Sequence, residues 1–193
     1  MWRMDCNSPD GRGNRRERKP PRPLDAARLD ELALAYVARF ATSAGKLSDY
    51  LRRKLRERGW EGEGEADIHA IVSRFVALGY VDDAGFARGK AQSLLRRGYG
   101  ARRIDQALGA AGIAETLREE ARGSDAERRR AALVMARKRR FGPFGGGGGL
   151  DPAQREKQVA AMLRAGHPLA YAREVVNASS PEALEEWIDE AAD

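Results

Sequence analysis

Gly79-Tyr80-Val81-Asp82-Asp83-Ala84-Gly85-Phe86-Ala87 is the stretch on which the fold turns. A glycine followed by an aromatic closes one helical segment, because glycine enters the left-handed conformation without steric penalty. The aspartate pair then opens another. With Asp82 as N-cap, Val81 falls at N′ and Phe86 at N4, the spacing of a hydrophobic staple, and both carboxylates sit at the positive end of the helix dipole. Arg97-Gly98-Tyr99-Gly100-Ala101-Arg102-Arg103-Ile104 repeats this stop and restart. Short helices with arginines at the joints make a scaffold that presents positive charge, not a catalytic pocket.

Working outward, residues 24–81 read as one three-helix unit. Leu29, Leu32, Ala33, Tyr36 and Val37 share a face, and Leu47, Leu51 and Leu55 follow Ser43, a plausible N-cap. After the break at 59–64, Ile68, Ile71, Val72, Phe75 and Leu78 complete the unit. A second unit spans 82–141: a helix through Ala91, Leu94 and Leu95 to Gly98, a short one with Ile104 and Leu108, and a third from Ile113. The third breaks at Gly123 and resumes after the capping box Ser124-Asp125-Ala126-Glu127. Residues 142–149, Gly-Pro-Phe-Gly-Gly-Gly-Gly-Gly, read as a flexible linker of about 15 Å root-mean-square reach, leaving the last unit loosely attached. A third, acidic unit spans 150–193, opening on Asp151-Pro152 with Gln154 and closing with a helix capped by Ser180-Pro181. Leu94-Leu95-Arg96-Arg97-Gly98-Tyr99 parallels Met162-Leu163-Arg164-Ala165-Gly166-His167, and Leu55-Arg56-Glu57-Arg58-Gly59-Trp60 is a looser third copy. The expected fold is all-α: about nine helices in three tandem helix-turn-helix-like units, elongated and curved.

Composition bounds the function. The lone Cys6 excludes an internal disulfide or a cysteine-based zinc site and fits a reducing compartment. No apolar run approaches the roughly 20 residues that cross a bilayer, and no signal-peptide core opens the chain, so a cytoplasmic monomer without membrane contact is expected. Residues 1–23 are too polar to order themselves and read as a basic arm. The charge is polarised: residues 25–149 hold 24 basic and 17 acidic side chains, while 150–193 hold four basic and nine acidic. Such a body suits a partner of one charge sign.

Catalytic patterns fail one by one. Gly85-Phe86-Ala87-Arg88-Gly89-Lys90-Ala91 is one residue short of a phosphate loop and has Ala91 where the hydroxyl belongs. His69 and His167 are nearly a hundred positions apart and read as surface or core histidines, not ligands. Asp82 and Asp83 are explained by capping, with no histidine, lysine or metal partner evident nearby. No enzyme activity, cofactor or metal is expected. The basic runs remain. Arg52, Arg53, Lys54, Arg56 and Arg58 lie around Leu55; Arg96, Arg97, Arg102 and Arg103 bracket Gly98-Tyr99-Gly100; Arg128 to Arg130 and Arg137 to Arg140 line the longest helix. Arginine forks suit phosphate, and Gln92 and Gln106 are too few for base-specific readout, so binding would be sequence-neutral and salt-sensitive.

These residues resemble the RecX family of recombination regulators. The resemblance rests on Leu51-Arg52-Arg53-Lys54-Leu55 with Gly59-Trp60, and on Leu78-Gly79-Tyr80-Val81-Asp82-Asp83 with Phe86-Ala87. It continues through Arg97-Gly98-Tyr99-Gly100 and Arg102-Arg103-Ile104 to Gly112-Ile113, and covers roughly residues 27–178. The glycine linker departs from the family's short joint, and His167-Pro168 stands where an aromatic is commoner. The resemblance implies a protein lying in the groove of the RecA–DNA filament, on single- or double-stranded DNA, and restraining RecA's ATPase, strand-exchange and coprotease activities. The basic runs supply the expected contacts with that filament: Arg52, Arg53, Arg56, Arg96, Arg97, Arg102, Arg103, Arg137, Lys138, Arg139 and Arg140. Gly79, Tyr80, Asp82, Asp83, Phe86, Gly98 and Tyr99 would be scaffold. The alternative is a stand-alone, sequence-neutral DNA-binding helical protein.

Overall fold

The computed structural model describes residues 22–145 and 151–191. The basic arm, except Arg22 and Pro23, and the second half of the glycine stretch lie outside the described residues. Ten α-helices follow in order: α1 (Ala26–Arg39), α2 (Ala44–Arg58), α3 (Ile68–Ala77), α4 (Asp83–Arg96) and α5 (Ala101–Gly109). Then come α6 (Glu115–Glu120), α7 (Asp125–Arg139), α8 (Pro152–Arg164), α9 (Leu169–Asn177) and α10 (Pro181–Asp189). Among the described residues there is no strand, only a parallel bridge between Leu24 and Trp60. The all-α class and the three-helix grouping are as the periodicity predicts. The extra helix arises at Gly123, whose φ of +76° stops α6 while the Ser124–Glu127 capping box starts α7 afresh.

Local chemistry explains the helix starts. Asp25, Ser43, Asp67, Asp82, Ser124, Asp151 and Ser180 each accept a hydrogen bond from an N–H in the first turn of their helix. The stops share one device. At the end of α3 the Gly79 N–H reaches the Val76 carbonyl and the Tyr80 N–H reaches that of Phe75. This is the Schellman arrangement, with the Phe75 and Tyr80 rings 5.7 Å apart as its apolar contact. The same pair of bonds closes α4 at Gly98-Tyr99, α5 at Gly112-Ile113 and α8 at Gly166-His167.

Three apolar cores follow. Leu24, Leu29, Ala33, Leu47, Leu51, Phe75 and Val81 form the first, within α1–α3. Ala87, Ala91, Leu94, Leu95, Ile104, Leu108 and Ile113 anchor the second, within α4–α6. The third joins Val159, Met162, Ala172, Val175, Val176, Leu184 and Ile188 of α8–α10 to Ala132, Leu133, Met135 and Ala136 of α7. Thus α7 sends Ala131 into the second core and four residues into the third, and it divides its packing between two units. The staple pair also straddles a junction: Val81 enters the first core while Phe86 packs on the second. Leu55–Trp60 closes the second helix of its unit, whereas Leu94–Tyr99 and Met162–His167 close first helices, so it is not their structural counterpart.

The units are joined through backbone. At the second junction the Gly100 N–H donates to the Ala165 carbonyl (3.0 Å) and the Arg102 N–H to that of Gly166 (3.2 Å). The end of α8 therefore feeds the start of α5. At the first junction the end of α5 meets the start of α2: Ser43 Oγ, fully buried, donates to the Ala111 carbonyl at 2.5 Å. Gly45 and Gly112 touch there, and a Cβ on Gly45 would stand 2.8 Å from the Gly112 Cα. The linker expectation fails for its first half. Residues Gly142–Phe144 form a 3-10 turn docked on α9. The Gly142 N–H donates to Gln158 Oε1 at 2.8 Å, and Phe141 and Phe144 pack on the third core. The last unit is tied on by this turn, by α7 and by the second junction.

Gly100 tests the docking. A Cβ there would lie 2.2 Å from the Gly166 carbonyl carbon and oxygen, both backbone atoms that cannot step aside. Gly100→Ala should lower stability by about 1–3 kcal/mol in urea denaturation. Gly89→Ala, in open space inside α4, should be neutral or stabilising by about 0.5–1 kcal/mol.

Candidate nucleic-acid interface

Helices α4 and α7 run side by side in the same direction, pairing Gln92 with Glu127 at one end and Gly98 with Met135 at the other. Two concavities open along this seam. The one at the helix C-termini, about 200 Å³, is lined by Arg97, Tyr99, Lys138 and Arg139 with the backbone of Gly98. The other, about 400 Å³, lies toward the N-terminal end of α7 and includes Arg96 and Arg130. Contributions from both helices make a basic groove that neither segment has alone.

Its charges are available. Among the described residues no carboxylate forms a salt bridge with Arg96, Arg97, Arg130, Lys138 or Arg139. The nearby Glu127 carboxyl is lowered chiefly by the Gln92 hydrogen bond, and the Arg130 charge helps to lower it. The Arg97 guanidinium lies over the Tyr99 ring at 5.2 Å, which orients it without neutralising it. Lys138 Nζ donates to the Arg97 carbonyl at 3.3 Å, so part of its charge answers the negative end of α4. Arg102 and Arg103 are exposed at the start of α5, whose leading N–H groups are already taken by α8.

Other basic residues are matched. Arg137 pairs with Glu185 of α10 and lies over the Phe144 ring at 5.7 Å, fastening the last helix and the 3-10 turn to α7. Arg128 and Arg129 pair with Asp125 at 2.8 and 2.7 Å, and Arg129 covers the Trp187 ring at 4.8 Å. The Tyr171 hydroxyl, followed by Arg128, holds the Asp125 carboxyl below its ordinary range. On α2, Arg52 and Arg53 lie 3.6 Å from Asp49 and Glu57, and Lys54 lies 2.6 Å from Glu57. The hydrogen bond from Lys54 lowers the Glu57 carboxyl. Arg56 is exposed on the same helix. These α2 residues belong to the first unit and do not line the groove.

The motif residues divide between two junctions. Asp82 caps its own helix, while Asp83 accepts from the Ala44 N–H at 2.8 Å and caps α2 across the first junction. Two adjacent carboxylates thus start two different helices. Gly79, Tyr80 and Phe86 border a cavity of about 440 Å³ at that junction, and Gly98 and Tyr99 border the groove. Sequence reasoning left Arg130 outside the site. The signal was present in the spacing of Arg130, Val134 and Lys138, which puts them on one face of α7.

His167 is the second residue underestimated. It is 4% exposed, and its Nε2 lies 3.0 Å from the Gly98 carbonyl, so Nε2 carries the proton and donates. Nδ1 is buried without a partner. Burial pushes the imidazole pKa below its ordinary 6.5, against a smaller upward pull from the Gly98 carbonyl. His167 therefore locks the groove's Gly98 to the last unit as a neutral ring.

The sequence of residues 82–121 matches the RecX second three-helix domain, and those bounds enclose α4 through α6. Over 179 residues the chain is 31% identical to the regulatory protein RecX of Myxococcus xanthus, covering 88% of this chain and 96% of that protein. The chain belongs to the RecX family. A regulatory protein RecX of Thermus thermophilus is 39% identical over 88 residues, 46% of this chain and 58% of that one. The crystal structure of RecX from Lactobacillus salivarius shares the fold at a TM-score of 0.60, with 16% identity over 85% of this chain and 96% of that one. The RecX domain pattern ends at residue 121, four positions before α7 begins, in keeping with the divided packing of that helix. Among the described residues no His, Cys, Asp and Glu group could hold a metal ion, and no helix is long and apolar enough to cross a membrane.

Arg140 ends α7 at φ +57°, ψ +48°, taking the position that glycine holds in the other four stops. Arg140→Gly should therefore raise stability by about 1 kcal/mol in chemical denaturation. For His167 the folded pKa lies below the unfolded one, so the unfolded chain binds the extra proton first. Stability should be full above about pH 6.5 and fall as the pH drops below it, and melting curves of His167→Gln should lack that component.

Proposed function

We propose that this RecX-family protein regulates the RecA recombinase by seating on the RecA–DNA filament, with the α4–α7 groove turned toward the nucleic acid backbone. The observation that carries the reading is the convergence of Arg96, Arg97, Arg130, Lys138 and Arg139 on one seam. The one lining carboxylate, Glu127, is held by Gln92 and the Ser124 N–H and forms no salt bridge with them. Cations gathered from two helices of a rigid junction bind phosphate with less ordering cost than the same number scattered on flexible surface. Such contacts release counterions, so affinity falls with salt and carries no sequence preference of its own. Arg102, Arg103 and the α2 residues Arg52, Arg53 and Arg56 would extend the positive surface along an elongated body. The relatives' name, regulatory protein RecX, supports a regulatory role rather than chemistry by the chain itself, and restraint of RecA's ATPase, strand exchange and coprotease activity is the form of regulation proposed.

The test is the single-strand-dependent ATPase rate of RecA titrated with this protein, alongside salt-dependent strand binding. Inhibition well below one molecule per RecA is expected. The pair Arg97→Glu and Arg139→Glu should weaken binding and reduce the log–log salt slope by about two. The melting temperature should fall by only a few degrees, the cost of exposed carboxylates at two helix C-termini, with the chain still folded. A protein that shifts naked DNA yet leaves RecA untouched would instead be a stand-alone DNA binder.

A further inference from the structure

The wider end of the α4–α7 groove differs in chemistry from the narrow end. Its floor is apolar, made by Leu95, Ala131 and Val134, and one guanidinium from each helix, Arg96 and Arg130, stands at its rim. At its far end Gln92 Nε2 donates to Glu127 Oε1 at 2.8 Å. Glu127 Oε2 accepts from the Ser124 N–H, also at 2.8 Å, so this carboxylate is committed to the capping box. The Gln92 carbonyl oxygen has no partner among the described residues. The volume, about 400 Å³, lies in the range of small-molecule sites.

From this geometry we infer that the wide end of the groove seats one unstacked nucleobase of a bound single strand, its exocyclic amino group donating to the Gln92 carbonyl. The inference rests on the groove facing nucleic acid, as proposed above. Unstacked bases are held between apolar side chains and guanidinium planes and read on their hydrogen-bonding edge. Leu95 and Val134 supply the apolar contact, Arg96 and Arg130 hold the flanking phosphates, and Gln92 is the acceptor. Arg130, Val134 and Lys138 lie on one ridge of α7, with about 12 Å of helix rise between the first and last. A strand following that ridge passes from the base seat to the narrow basic end at Arg97, Lys138 and Arg139. Charge decides against an acidic peptide as occupant, since Glu127 would face its carboxylates directly, whereas a nucleobase brings a neutral donor to that end.

Fluorescence anisotropy of the full chain with three labelled 12-residue strands tests the inference: oligodeoxycytidylate, oligothymidylate and a fully abasic strand with the same phosphates. Cytosine carries the exocyclic amino group and thymine does not. Cytidylate should bind about tenfold more tightly than the abasic strand, within the range that base contacts contribute per residue. Val134→Phe, which fills the seat, should bring cytidylate down to the abasic level and leave abasic binding unchanged. Gln92→Leu keeps the volume and should erase the preference for cytidylate over thymidylate, a readout that survives if the phenylalanine variant folds poorly. Equal binding of cytidylate and abasic strands by the parent chain would overturn the base seat and leave the phosphate reading standing. Failure to bind any strand would overturn both. If Val134→Phe spared strand binding and instead weakened binding to RecA without DNA, the seat would belong to a protein partner and the inference would fall.

Discussion

Helix ends carry carbonyls without partners and helix starts carry N–H groups without partners, and this protein satisfies one with the other across its units. The carbonyls of Ala165 and Gly166 at the end of α8 take the N–H groups that open α5, and the Ala111 carbonyl at the end of α5 takes the hydroxyl that caps α2. The helices thus stand head to tail through the molecule, their dipoles aligned favourably. Such bonds require backbone to touch backbone, and only glycine allows that approach at Gly45, Gly100, Gly112 and Gly166. Each core is small, made largely of Leu, Val, Ile and Ala, so the joints matter as much as the cores.

The groove is a product of those joints. Gly98 packs against the backbone of Met135, and His167 holds the Gly98 carbonyl from the third unit, which sets α4 beside α7. A hydrogen bond from a neutral histidine replaces the contact an aromatic would make there, and it introduces a buried nitrogen that water cannot reach. The basic side chains of the seam then have a rigid floor. Arg128, Arg129 and Arg137 show the other outcome for charge on the same helix. Arg129 and Arg137 reach Trp187 and Glu185 of α10. Arg128 braces Asp125 of its own helix, the carboxylate that accepts from Tyr171 of α9, and so the three fasten the acidic last unit to the basic body.

Helix boundaries were legible from short-range chemistry. Ser43, Asp82, Ser124, Asp151 and Ser180 cap where spacing puts them, since a cap involves only the next three residues. The Gly-aromatic stops were legible for the same reason, except that α7 closes on Arg140 in a glycine's position. The less legible features are non-local. Asp83 capping a helix thirty-nine positions earlier leaves no local trace. Gly142–Phe144 looks like linker because its partners, Gln158 and α9, come later in the chain. A core or surface histidine was the right reading for His167, but its partner Gly98 lies sixty-nine residues away, and pattern does not supply it.

The amino-acid sequence by itself determined the helical class, nearly every helix start and stop, the repeat of three-helix units and the surplus of arginine. Each of these depends on interactions within a turn or two of the chain or on composition. Tertiary structure alone decided which arginines stay available, that α7 bridges two cores, and that Arg96 and Arg130 come to share one groove. Pairing of charges and packing of helices depend on distances between residues far apart in sequence, and those distances exist only once the glycine joints have closed.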